Sequence, residues 1–171
     1  THYGTIRSET FPAVAAFNDG RIRDAVRVYA GASPNLMTLQ SDIPIPPYSV
    51  RALSQCVLGD LAEEFERAIF LAGAPAETEK QIGDVIGVAT DDDLASTLSD
   101  TGIELAEGPG MIGGVTGGLA ADCFEGDVPA AVLIVRCNPY IPDPGAAQAV
   151  IENALEPLVQ FDIDTSELEE Q

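Results

Sequence analysis

Between residues 68 and 158, short apolar runs alternate with stretches whose apolar residues recur at helical spacing. That alternation narrows the fold more than any other feature of the chain. Residues 68–72 (Ala-Ile-Phe-Leu-Ala), 85–89 and 130–135 are continuous apolar runs of strand length, the first closed by Gly73-Ala74-Pro75. Runs without polar alternation read as strands buried on both faces, so 68–72 is expected as a buried central strand. Between them, Leu94 and Leu98 face inward on one helix, and a second helix carries Leu119, Ala120, Cys123 and Phe124. A third carries Ala147, Val150, Ile151, Ala154, Leu155 and Leu158. Thr90 is expected to cap the first, with Asp91, Asp92 and Asp93 at its positive end. Asp143-Pro144 opens the third, because Asp caps and Pro fits the first turn. Residues 164–170 read as a last, acidic helix. Strands alternating with helices predict an α/β fold with a mixed, largely parallel sheet covered on both faces.

The first third differs. Residues 11–17 are apolar and end at Asn18-Asp19-Gly20, a hairpin signal. Residues 25–29 alternate, with Val26 and Val28 on one face and Arg27 on the other. After the turn Ala32-Ser33-Pro34-Asn35, residues 36–40 form a further strand. Together these predict an N-terminal antiparallel meander. Ile43-Pro44-Ile45-Pro46-Pro47 is a stiff connector that no helix crosses. Val50, Leu53, Val57, Leu61 and Phe65 then mark one face of a helix.

The 171 residues suit one domain, residues 1–171, with no internal repeat or low-complexity linker. No apolar run reaches the roughly 20 residues of a membrane helix, and the first residues lack a signal-peptide pattern. Cys56, Cys123 and Cys137 are too widely spaced for a zinc site, and read as small buried side chains in a reducing cytoplasm.

There are 28 acids against eight bases, a net charge of −20. Such a surface repels nucleic-acid phosphates and anionic membranes. The acids are scattered from Glu9 to Glu170, as in a chain adapted to concentrated salt. The bias has one exception. Residues 1–30 hold Glu9, Asp19 and Asp24 against Arg7, Arg21, Arg23 and Arg27, a balance of +1, leaving 25 acids and four bases elsewhere. A surface shared with another subunit would excuse this segment, and Arg21, Arg23 and Arg27 are its candidate interface residues.

Motifs for catalysis are incomplete. Gly108-Pro109-Gly110-Met111-Ile112-Gly113 spells G-x-G-x-x-G, but no acid ends the next strand, and no Lys-Ser or Lys-Thr follows to make a P-loop. Either Gly113, Gly114, Gly117 and Gly118 let a helix pack close to the sheet and turn tightly, or the segment forms an anion or small-ligand loop. In the second case the candidate residues are Gly108, Gly110, Gly113, Gly114, Thr116, Asn138 and Tyr140, the last two from a stiff loop that also holds Pro139, Pro142 and Pro144. His2 is the only histidine and sits at the start, which leaves a Ser-His-Asp arrangement without its base. Paired carboxylates such as Glu63-Glu64 and Asp91-Asp92-Asp93 arise by abundance alone and lack a calcium-loop pattern. No catalytic, metal or cofactor residue is expected.

Three stretches resemble the proteasome assembly chaperone family in its archaeal and bacterial branch. They are residues 3–12 (Tyr-Gly-Thr-Ile onward) with the hairpin and Val26-Arg27-Val28-Tyr29; Leu39-Gln40-Ser41-Asp42-Ile43-Pro44-Ile45 with Phe70-Leu71-Ala72-Gly73-Ala74-Pro75; and residues 111–119 with Tyr140-Ile141-Pro142-Asp143-Pro144-Gly145. The resemblance implies a three-layer α/β/α sandwich similar to nucleoside phosphorylases without their enzyme residues. It also implies homo-oligomers and, for some members, escort of proteasome α subunits into rings. Relatives carry a strand and helix upstream and a helical extension downstream. Some end in a hydrophobic-Tyr-any tail, which Leu168-Glu169-Glu170-Gln171 does not match. The expected function is a non-catalytic assembly protein; the alternative is a small-molecule or nucleotide binder or enzyme using residues 108–118.

In dilute buffer the carboxylates repel one another, whereas at molar salt the Debye length falls to about 3 Å. The thermal midpoint is therefore expected to rise as KCl increases from millimolar to molar; equal or greater stability in dilute buffer would remove the case for adaptation to salt.

Overall fold

The computed structural model describes residues 1–166. The acidic helix expected over 164–170, beyond Ser166, and the tail at 168–171 lie outside the described residues. The chain forms two compact units, one made of Thr1–Phe65 with Gly113–Leu119, the other of Glu66–Ile112 with the residues from Ala120 onward.

In the first unit, strands β1 (His2–Thr5), β4 (Val26–Ala32) and β5 (Asn35–Ser41) make an antiparallel sheet in the order β1-β4-β5. Strands β2 (Ala16–Asn18) and β3 (Arg21–Arg23) form a separate hairpin. Its turn uses Asp19 and Gly20, both at positive φ, as a two-residue turn between twisted strands requires. The strand expected over 11–17 is confined to its last residues. Pro12 cannot donate to a ladder, and the Val14 amide closes a tight turn onto the Pro12 carbonyl, so the apolar run bends. The meander thus exists, but its first hairpin stands apart from the sheet.

β4 is the centre of this sheet. Val26 and Val28 are buried, as their alternation predicts. Arg27 is buried as well, at 3 % exposure, because it has a built partner. Its guanidinium donates to both Asp42 oxygens, at 2.6 and 3.0 Å, and to the Asp24 carbonyl and the Tyr29 hydroxyl. Asp42 also pairs with Arg23 at 3.1 Å, and its amide bonds the Ala25 carbonyl. One carboxylate therefore ties the end of β5 to β4 and to the β2–β3 hairpin. Beyond the proline connector, a 3₁₀ turn (Pro47–Ser49) leads into helix α1 (Val50–Asp60), with Leu53 buried. The helix ends before Leu61 and Phe65, the last residues of its expected stripe.

In the second unit, β6 (Ala68–Pro75), β7 (Val85–Ala89), β8 (Glu104–Leu105) and β9 (Ala130–Cys137) form a sheet in the order β6-β9-β7-β8. β9 runs parallel to β6 and antiparallel to β7, and β7 runs parallel to β8, so the sheet is mixed. β9 is the buried centre. β6, expected there, pairs only with β9 among the described residues and is half-exposed, with Leu71 at 47 %. An apolar run states a preference for burial but not which strands flank it.

Helix α2 (Asp92–Asp100) buries Leu94 and Leu98. Gly87 lets it approach β7: a Cβ there would meet Leu98 Cδ1 at 3.0 Å and Ile103 Cγ2 at 3.1 Å. Its cap is Asp91, which accepts from the Leu94 amide, rather than Thr90. The Thr90 hydroxyl is occupied, accepting from the Ala130 amide at the start of β9 and donating to Asp91. Helix α3 (Gly114–Glu125) buries Leu119 and Cys123 and leaves Phe124 exposed. Helix α4 (Pro144–Val150) continues through a π segment (Ile151–Leu155) into α5 (Glu156–Val159). Val150, Ala154 and Leu158 reach the core with Leu133 of β9.

The carboxyl of Asp42 is held below the usual carboxylate range, chiefly by the Arg27 hydrogen bonds. A carboxyl with a lowered folded-state pKa stabilises fully above its unfolded value, and that contribution is lost as pH falls through the folded value. Asp42→Asn, which leaves Arg27 buried without a counter-charge, is expected to melt well below wild type at pH 7. The gap should narrow from about pH 4 downward; a gap independent of pH in thermal melts would contradict this account.

Candidate functional site

The residues expected to form a ligand loop divide between the two units. Gly108, at positive φ, and Gly110 lie in an irregular stretch of the second unit, and a Cβ at either would meet nothing within 4 Å. Asn138 and Tyr140 belong to the same unit. Gly113, Gly114 and Thr116 belong to the first, with Gly114 at positive φ opening α3 and Thr116 half-buried on it.

The glycine with a packing role is Gly118. A Cβ there would run into Val50 Cγ1 of α1, within the first unit. The glycine-rich segment thus brings one helix against another, where packing against the sheet was the expectation.

The loop after β9 is rigidly built. Asp143 Oδ2 accepts from the Asn138 amide at 2.8 Å, while Oδ1 caps α4 by accepting from Ala146 at 2.9 Å. These two backbone donors, Asn138 first, lower the pKa of Asp143. Asn138 Oδ1 accepts from the Tyr140 amide. The loop so fixed holds Tyr140 at 92 % exposure, with Ile141 beside it also exposed.

Two cavities in the second unit exclude all of these loop residues. One of about 120 Å³ is lined by Thr90, Asp91, Cys123, Phe124, Asp127 and the following Val128-Pro129. That is below the roughly 300 Å³ at which small-molecule pockets begin. Burial raises the pKa of the Cys123 thiol, so it is a packing group and a poor nucleophile. The other, about 420 Å³, is an acidic cleft with Glu152, Glu156 and Asp162 in its wall. Two of those carboxylates are engaged internally. Glu152 accepts from Thr165 and Gln148, which lowers its pKa, and Glu156 accepts from the Ile163 amide. No group of three or more metal-ligating side chains is found among the described residues.

The candidate interface arginines separate by role. Arg27 is internal, Arg23 is committed to Asp42, and Arg21 is exposed with no ion pair among the described residues. The residues missed by the sequence reading lie beside them. Phe17 and Ile22 face each other across the β2–β3 ladder at 75 % and 81 % exposure. Their alternation with Asn18 and with Arg21 and Arg23 was the available signal: it puts both on one face of a two-stranded ribbon. Phe17 with Ile22 and Tyr140 with Ile141 are thus apolar pairs exposed to solvent.

A family model described as the PAC2 family matches residues 1–171. The chain belongs to the PAC2 family. The family resemblance read from its sequence is thereby borne out. No curated protein sequence matches the chain. Among solved structures, it is similar to Pyrococcus furiosus PbaA, described as an archaeal homolog of proteasome-assembly chaperone. That match has 23 % identity over 99 % of this chain and 70 % of the other, with a TM-score of 0.88. A Thermoplasma acidophilum protein of unknown function is similar at 25 % identity, 99 % and 69 % coverage and a TM-score of 0.85. Pyrococcus furiosus PbaB, described as an archaeal proteasome activator, follows at 19 % identity, 95 % and 74 % coverage and a TM-score of 0.77. These likenesses establish the mixed α/β fold of this PAC2 protein.

The packing account of the glycine-rich segment makes a prediction of definite sign. Helix propensity alone favours Ala over Gly by about 0.5–1 kcal/mol. Gly118→Ala is nevertheless expected to destabilise by about 1–3 kcal/mol, because the new methyl overlaps Val50. Val50→Ala in the same chain should recover most of that loss in denaturant melts. A Gly118→Ala chain more stable than wild type would return the segment to a role other than packing.

Proposed function

We propose that this chain is a non-catalytic interaction protein that assists proteasome assembly, with proteasome α subunits as its partner class. The observation that carries the reading is the family match along the whole chain. The geometry supports it. Asp91 and Asp143 are spent on helix caps and Glu152 on internal hydrogen bonds, and the cavity near Cys123 is small. The described proteasome connections of PbaA and PbaB point the same way. In this reading the protein works as a homo-oligomer in the cytoplasm of a salt-adapted cell, and its fold class is the three-layer α/β/α sandwich.

The test is capture of proteasome α subunits from the same source on the immobilised chain, in molar KCl. Retention of α subunits, reduced at least about threefold when Tyr140 and Ile141 are both changed to Ser, is expected. A chain that retains none under those conditions has the family's fold without this function.

A further inference from the structure

The β2–β3 hairpin is the least economical piece of surface on the first unit. A two-stranded ribbon is marginal by itself, and this one spends its largest side chains on solvent. Phe17 and Ile22, opposite each other in the ladder, share one face. Ala16, Asn18, Arg21 and Arg23 occupy the other. Arg23 anchors that second face to Asp42, so the ribbon is held from its arginine side with the aromatic-aliphatic pair turned outward. A charge-free apolar pair beside a guanidinium with no ion pair among the described residues has the composition of an interface centre, where aromatic and Arg residues are enriched and acids depleted.

The charge of the chain identifies the occupant. Nucleic acid and anionic membrane are repelled by a body of net charge −20. The surface that complements Arg21 is an acid-rich protein face with apolar positions among its carboxylates. Residues 31–171 of this same chain hold 25 acids against four bases, and so provide such a face at the chain's own concentration.

We infer that the β2–β3 hairpin docks on the acid-rich surface of a second copy of this chain, with Phe17 and Ile22 buried and Arg21 paired to carboxylates. This rests on the self-association in the proposed function and names its contact. The hairpin of one copy meets a different surface of the next, so the contacts either pair reciprocally about a two-fold axis or repeat head to tail into a ring or a filament. The contact also depends on salt. Two bodies of charge −20 repel over long range in dilute buffer, whereas in molar salt that repulsion is screened. Burial of Phe17 and Ile22 persists there, because apolar contact carries no charge for salt to screen.

The experiment is light scattering on the full chain in molar KCl, at fixed protein concentration, with far-UV circular dichroism and melting as folding controls. Wild type is expected at a multiple of 17.9 kDa. Phe17→Ser with Ile22→Ser should run as the monomer, its self-association weakened roughly tenfold or more. Arg21→Glu, at an exposed position that tolerates change, should weaken it in the same direction, and it carries the test should the double variant lose its fold. A wild type that is monomeric throughout, or variants that keep the wild-type mass, overturn the inference. Variants that keep that mass but lose capture of α subunits also overturn it, by assigning the hairpin to a different partner. A wild type that assembles through the hairpin yet captures no α subunit upholds the inference and strikes only the function proposed above.

Discussion

The second unit depends on the burial of a single strand. β9 is hydrogen-bonded along both edges, to β6 on one side and β7 on the other, and Ala131 and Leu133 have no exposure at all. A strand in that position can carry no polar side chain over its central residues, and residues 130–135 contain none. Thr90 fixes its start through the Ala130 amide. Its far end releases the chain at Asn138, where Asp143 immediately captures the backbone and caps the next helix. The exposed Tyr140 and Ile141 are thus displayed by a loop held by one carboxylate at both ends.

The first unit is organised by charge instead. Asp42 serves Arg27 and Arg23 together, and Asp24 serves Arg7 and Thr5. These pairs differ in worth. Arg7 and Asp24 lie in solvent, where an ion pair contributes little. Arg27 is buried, and such a cation requires its partner if the strand is to stay folded. The arginines of residues 1–30 therefore divide by role: Arg27 is internal to β4, Arg23 and Arg7 pair with Asp42 and Asp24, and Arg21 has no ion pair among the described residues. The same acid-poor stretch supplies the exposed Phe17 and Ile22.

Several elements were legible because their signals are local. Asn18-Asp19-Gly20 specifies a tight turn through backbone conformation alone, Asp143-Pro144 a helix start, and the apolar run 130–135 a buried strand. Others were read wrongly for want of neighbours. Residues 68–72 have the composition of a central strand but lie at the edge, and the cap of α2 moved from Thr90 to Asp91 because another strand claimed the threonine hydroxyl. Of the candidate site, the exposure of Tyr140 followed from its proline-stiffened loop, whereas the partition of the glycine-rich residues between two units did not follow from their spacing.

By itself the sequence determined the class of fold, the family and the electrostatic character of this protein, because periodicity, turn chemistry and net charge are sums over local residues. The tertiary structure alone decided which arginine is structural and which is free, which glycine is a contact, and which apolar side chains face water. Each of those depends on what lies across a strand or helix from a residue. Asp42 meets Arg27 only through the register of β4 with β5, Val50 meets Gly118 only when two distant helices pack, and Phe17 meets Ile22 only across the ladder of the hairpin.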